Sequence, residues 1–212
     1  FVLITEDIKD AFDNVPREPL MEIVTRYVPS PELVELIRKF VYVGNRTKGI
    51  PQGGPLSPFL LNLYVYHHIV RKWKPEPDQE LADLICYADD ILLICRSQDD
   101  ASDAWTKLSK LSREAGLPLK HGCHKALTDL EQTKQTIWLG YSLCYRNQSV
   151  QAKIDESSWS ALQESLELAH EEPDSPLLAI SIVEGWLGQL GPCFRHENRW
   201  HVTQKIQRIA SE

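Results

Sequence analysis

A chain of 212 residues, 42% of them apolar, can bury one large core or one core plus a small appendage. The net charge of −7 excludes a uniformly basic coat for phosphates, and no apolar run approaches a membrane span. Five cysteines, odd in number and without paired spacing, exclude a disulfide framework and fit a reducing compartment.

Val2 to Thr5 is a short β-rich run that ends at acidic Asp7. Pro16 to Tyr27 and Pro31 to Val43 read as helices, each with a proline near its first turn. Leu33, Ile37 and Phe40 give the second its apolar stripe. Gly44 to Pro58 is a loop rich in Gly and Pro. Phe59 to Trp73 is long and apolar enough for a buried helix, broken by Lys74-Pro75-Glu76-Pro77-Asp78. Leu84 to Cys86 and Ile91 to Cys95 are strand-like runs around Tyr87-Ala88-Asp89-Asp90, which reads as a hairpin. Asp99 or Asp100 is expected to cap a helix that Gly116 ends. Thr136 to Leu143 and Ser149 to Ile154 read as further strands. Beyond Asp155 the pattern turns helical: Ser157 to Glu171, Pro176 to Leu190 and Glu197 to Ile209. The expectation is an α+β body over 1–154 and a helical segment over 155–212.

Two adjacent carboxylates at a hairpin tip with apolar walls repel each other and need a compensating cation. A hard divalent metal on oxygen ligands is the natural partner, although an Asp-Asp turn is also a common local structure. If the first strand lies beside the hairpin, Asp7 joins Asp89 and Asp90. Three carboxylates on adjacent strand ends form a clamp for two metals, suited to in-line phosphoryl transfer. The loop Gly49-Ile50-Pro51-Gln52-Gly53-Gly54-Pro55-Leu56-Ser57-Pro58 holds Gln52 on a stiff backbone that a ligand can approach closely. The cluster His121-Gly122-Cys123-His124 lacks a second ligand pair at zinc spacing. Charge is uneven: 18 basic against 20 acidic residues through residue 150, then 5 against 10. The late positive charge gathers at Arg195, Arg199, Lys205 and Arg208, either a solvated helix face or a stripe that tracks phosphates.

In order and spacing these pieces resemble the reverse transcriptase family, in its group II intron-like, bacterial form. Asp7 to Phe12 resembles the first palm motif. Residues 49–58 are similar to the Pro-Gln-Gly-Gly…Ser-Pro loop, and Tyr87-Ala88-Asp89-Asp90 to the Tyr-x-Asp-Asp signature. Trp138-Leu139-Gly140-Tyr141 resembles the primer-grip motif. The likeness covers about residues 1–145, and a Gly185-Trp186 pair resembles one in intron-type thumbs. It implies a polymerase palm, an antiparallel sheet with packed helices, followed by an all-helical thumb. The fingers would lie upstream of Phe1, where the chain starts inside an apolar run.

By the same resemblance, Asp7, Asp89 and Asp90 are catalytic. With the backbone carbonyl of Ile8 they hold two Mg2+ ions, for which Mn2+ is a substitute. Asp10 and Ala11 offer backbone contacts to the incoming triphosphate, Phe12 is a steric gate under its sugar, and Gln52 touches nucleotide and template. The family places a lysine shortly after the Gly-Leu that follows the hairpin helix. Here the fitting residue, Lys125, arrives about two residues late, with Lys120 as competitor. Trp138, Leu139, Gly140 and Tyr141 position the primer end, and Arg195, Arg199 and Lys205 follow the nucleic-acid backbone. The implied activity is RNA-directed DNA synthesis on an RNA template with a DNA primer and deoxynucleoside triphosphates. Intron RNA or a CRISPR-associated complex are the implied assemblies. A binding-only maturase or defence-system subunit is the alternative, and an RNA-templated RNA polymerase a third reading. With no basic-then-apolar leader, the expected location is the cytoplasm of a bacterial-type cell, with no membrane partner.

Overall fold

A computed structural model describes residues 1–44, 46–73, 82–133, 135–189 and 198–210. The chain divides into two compact units, Phe1–Asp129 and Leu130–Glu212.

In the first unit, β1 (Val2–Asp7), β2 (Asp83–Tyr87), β3 (Asp90–Cys95) and β4 (Leu127–Asp129) form one antiparallel sheet in the order β2-β3-β1-β4. Val2, Ile4 and Ile8 alternate onto the face that Ile91, Leu93 and Cys95 share, and this face builds the main core. The other side of that core comes from α2 (Arg17–Tyr27), α3 (Pro31–Val41), α4 (Ser57–His68) and α5 (Gln98–Glu114). A single turn, α1 (Ala11–Asn14), follows β1, and α6 (Cys123–Ala126) precedes β4. Tyr64 is buried to 1% exposure and donates its hydroxyl to the Ala115 carbonyl at 2.8 Å; burial pushes its pKa up to about 12. The cap of α5 is Ser97, not Asp99 or Asp100. Ser97 Oγ accepts from the Asp100 N–H while the Asp100 carboxylate accepts from the Ser97 N–H. This reciprocal box begins the helix two residues or more before the expected start, because it satisfies two orphan donors at once.

The second unit opens on a sheet, β5 (Thr136–Trp138), β6 (Tyr141–Arg146) and β7 (Ser149–Ile154), in that order. The run Thr136 to Leu143 is therefore a hairpin and not one strand. Leu139 and Gly140 both take positive φ, 49° and 76°, as a two-residue type I′ turn demands. A side chain on Gly140 would meet Ser158 Oγ at 2.6 Å, so only glycine fits. Helices α7 (Glu156–His170), α8 (Ser175–Gln189) and α9 (Arg199–Ile209) follow. Ile154 shares a core with Trp159, Leu162, Leu166, Val202 and Ile206, with Tyr141 and Ala152 packed against it. The unit boundary thus falls after Asp129, before the expected one after residue 154. Among the described residues the three late strands pair with each other, and β6 and β7 share a core with α7, so they group with the helices.

Candidate active site

Strand β1 pairs antiparallel with β3 so that Asp7 faces Asp90 across the ladder. Opposed residues of such a pair point to the same face, with Cα atoms roughly 4.5–5.5 Å apart. The β2–β3 link is two residues, Ala88 and Asp89, since Tyr87 pairs with Asp90. Ala88 is held at φ 52°, a left-handed region that costs an L-residue about 1–2 kcal/mol. The Asp89 carbonyl accepts from the Ile8 N–H at 3.0 Å, which ties this turn to the end of β1. The expected hairpin and its flanking first strand are thus both present.

A third segment closes the site from the far side. Leu119 bridges to Ile8, the Lys9 N–H donates to the Pro118 carbonyl at 2.8 Å, and the Lys120 N–H to the Asp7 carbonyl at 2.9 Å. The Lys120 ammonium consequently reaches Asp7 Oδ2 at 2.6 Å. That hydrogen bond and charge hold Lys120 above the usual lysine range. Glu6, on the core face and only 3% exposed, accepts from the Asp7 and His121 N–H groups, each at 2.9 Å. It thereby fixes both ends of the Asp7–Lys120 contact. Burial, then the Asp89 and Asp7 charges, raise the Asp90 carboxyl above the ordinary aspartate value, with Lys120 opposing them.

Asp7, Ile8, Asp10, Ala11, Phe12, Gln52, Asp89 and Lys120 line one cleft of about 360 Å³. Asp10 sits at φ 47° in front of α1, and Ala11 is buried. Phe12 is half-buried: it packs on the core and also lines the cleft. Gln52 donates to Asp13 Oδ2 at 2.9 Å. Its loop is anchored by Gly49 N–H to the Val15 carbonyl and Ile50 N–H to the Phe12 carbonyl, each at 2.8 Å.

The arrangement adds three observations about the expected site residues. Among the described residues no group of three or more His, Cys, Asp or Glu side chains is gathered as a metal cage. Asp7, Asp89 and Asp90 share a strand end, but like charges repel and Asp7 turns its oxygen to Lys120. The cleft lysine is Lys120, not Lys125, because backbone pairing of 118–120 with 7–9 sets Lys120 beside Asp7. Lys125 lies exposed on α6. In the second unit, Lys205 is occupied, 3.5 Å from Glu156 and 4.2 Å over the Trp159 ring. Arg199 starts α9, exposed, and Arg195 lies outside the described residues. Trp138 to Tyr141 form the β5–β6 turn; the Trp138 ring N–H is buried without a partner, and the Tyr141 hydroxyl donates to the Gln189 carbonyl.

Sequence reasoning missed Arg17. It is 3% exposed and donates to the carbonyls of Gly49 at 2.7 Å, Arg46 at 2.5 Å and Val43 at 3.2 Å, pinning the loop that leads to Gln52. A signal was present: a cation in the first turn of a helix sits against the dipole and needs another use.

Hard oxygen donors thus stand at the ends of adjacent strands, and those of Asp7 and Asp89 line the cleft. The family model for reverse transcriptase (RNA-dependent DNA polymerase) matches residues 2–143, and the chain belongs to that family. It is 35% identical over 68 residues to the group II intron-encoded protein LtrA of Lactococcus lactis subsp. cremoris, covering 28% of this chain and 11% of that protein. It is also 35% identical over 71 residues to an uncharacterized 91 kDa protein in cob intron of Schizosaccharomyces pombe, covering 30% and 9%. The chain thus spans about a tenth of the length of these relatives. In fold it is similar to apo telomerase from Candida tropicalis, with a TM-score of 0.59 at 15% identity, over 98% of this chain and 45% of that one. Telomerase from Candida albicans in complex with a fragment of telomeric RNA gives a TM-score of 0.54 at 13% identity, over 99% and 44%.

Proposed function

We propose that this chain carries the catalytic centre of an RNA-directed DNA polymerase, which joins a deoxynucleotide to a primer 3′-hydroxyl on an RNA template. The observation that carries the reading is the register of Asp7 against Asp90, with Asp89 in the adjoining turn and Phe12 and Gln52 on the same cleft. Oxygen donors under mutual repulsion fit hard divalent cations, and Asp7 already holds a cationic group. Asp7, Asp89, Asp90 and the Ile8 carbonyl would hold two Mg2+ ions. Those ions would neutralise phosphate charge and lower the pKa of the attacking hydroxyl. The chain's own residues do the rest: the Ala88 turn presents Asp89, the Arg17-held loop presents Gln52, and Phe12 walls the cleft. Contacts of Trp138 to Tyr141 with the primer, and of Arg195, Arg199 and Lys205 with the duplex backbone, belong to the same proposal.

Phe12 supplies the test of sugar choice. A ring resting on C2′ leaves no room for a ribose hydroxyl, and packed sites resist added volume by about 1–3 kcal/mol. Phe12→Val is expected to raise ribonucleotide incorporation at least about tenfold relative to the deoxynucleotide, through kcat/KM. Single-nucleotide extension with both sugars checks this. Equal preferences in wild type and variant would leave Phe12 as a core residue only.

A further inference from the structure

We propose that Lys120 is a built-in placeholder: its ammonium occupies the Asp7 carboxylate until a divalent cation displaces it, and so sets the cation concentration at which the site loads. This rests on the reading of Asp7 as a metal ligand. The contact is built and not incidental. Lys120 Nζ lies 2.6 Å from Asp7 Oδ2, and main-chain bonds flank it on both sides. The Lys120 N–H binds the Asp7 carbonyl, Leu119 bridges Ile8, and the next residue's N–H binds Glu6, whose carboxylate also accepts from the Asp7 N–H. Lysine and ligand therefore sit on two strand segments held in fixed register. Lys120 lines the cleft with Asp89, Phe12 and Gln52, so a released side chain stays in the cleft.

A lysine suits this role physically. Three carboxylates without a counter-charge repel one another, and an ammonium relieves that without binding as strongly as a divalent ion. The side chain is 54% exposed, so the ion pair is weak enough to be exchanged. Once displaced, the ammonium keeps its positive charge beside the place where an incoming triphosphate brings negative charge.

The experiment measures Mn2+ affinity by electron paramagnetic resonance on the whole chain, for wild type, Lys120→Met, Lys120→Arg and Asp7→Asn. Lys120→Met is expected to bind Mn2+ about fivefold more tightly, since an exposed ion pair no longer competes. Lys120→Arg is expected to stay near wild type, and Asp7→Asn to lose affinity. Thermal melting gives a second readout. Without divalent ions Lys120→Met melts below wild type, and saturating Mn2+ removes the difference. If Lys120→Met binds Mn2+ no more tightly and melts like wild type while Asp7→Asn still loses affinity, the placeholder is overturned and the metal reading stands. If Asp7→Asn binds Mn2+ as wild type does, both are overturned.

Discussion

Asp90→Asn is expected to lower templated primer extension at least about a hundredfold in the full-length gene product, because even groups that only support a metal ligand change metal affinity by about 10–100-fold. The same substitution is expected to raise the melting temperature of the metal-free protein. The sign follows from the environment of Asp90. Burial and the Asp89 and Asp7 charges raise its folded pKa above the unfolded value. The folded state thus binds this proton more readily than the unfolded state does, and stability falls as pH rises from the unfolded value through the folded one. A neutral amide of the same shape removes that penalty at neutral pH. Melting curves of wild type and variant from pH 4 to 8 check it: the variant's advantage should shrink toward the acid end. A variant that extends primers at a tenth of the wild-type rate would contradict the catalytic assignment.

Arg17→Ala should cost about 3 kcal/mol or more of folding free energy, since three or four carbonyls lose a charged donor at a buried position. Lysine cannot replace it, because one ammonium does not reproduce a fork whose Nε and two Nη atoms reach four separate residues. Urea titration of wild type, Arg17→Ala and Arg17→Lys would reveal the cost. Arg17 holds the carbonyls of Val43, Gly44, Arg46 and Gly49, so any Arg17→Ala protein that still folds should show a raised KM for a nucleotide bound beside Gln52. A loss under 1 kcal/mol would mean the loop is held by its own backbone bonds to Val15 and Phe12.

The strand ends that carry Asp7, Asp89 and Asp90 were legible because short β-branched apolar runs joined by a short link are local signals. The helices from Arg17 to His68 were legible for the same reason: proline starts and an apolar stripe. The β5–β6 turn was hidden because its first residue, Leu139, carries no turn chemistry and takes φ 49° only under tertiary constraint. The unit boundary was hidden because β5 to β7 are assigned by which strands pair and pack, a non-local fact. Lys120 went second to Lys125 for a similar reason. Spacing along the chain favoured Lys125, whereas the pairing of residues 118–120 with 7–9 decides which lysine meets Asp7. The grip of Arg17 on distant carbonyls is equally non-local, although its position against the helix dipole marked it.

The most direct measurement is single-nucleotide extension of a labelled DNA primer on RNA templates that differ only in the next base, with Mg2+ and each deoxynucleoside triphosphate in turn. The full-length protein is expected to add the complementary deoxynucleotide on each template, and Asp89→Asn to bind the same duplex but add nothing. Tight binding of the duplex by wild type, with no nucleotide added on any template, would contradict this and leave a protein that only binds RNA.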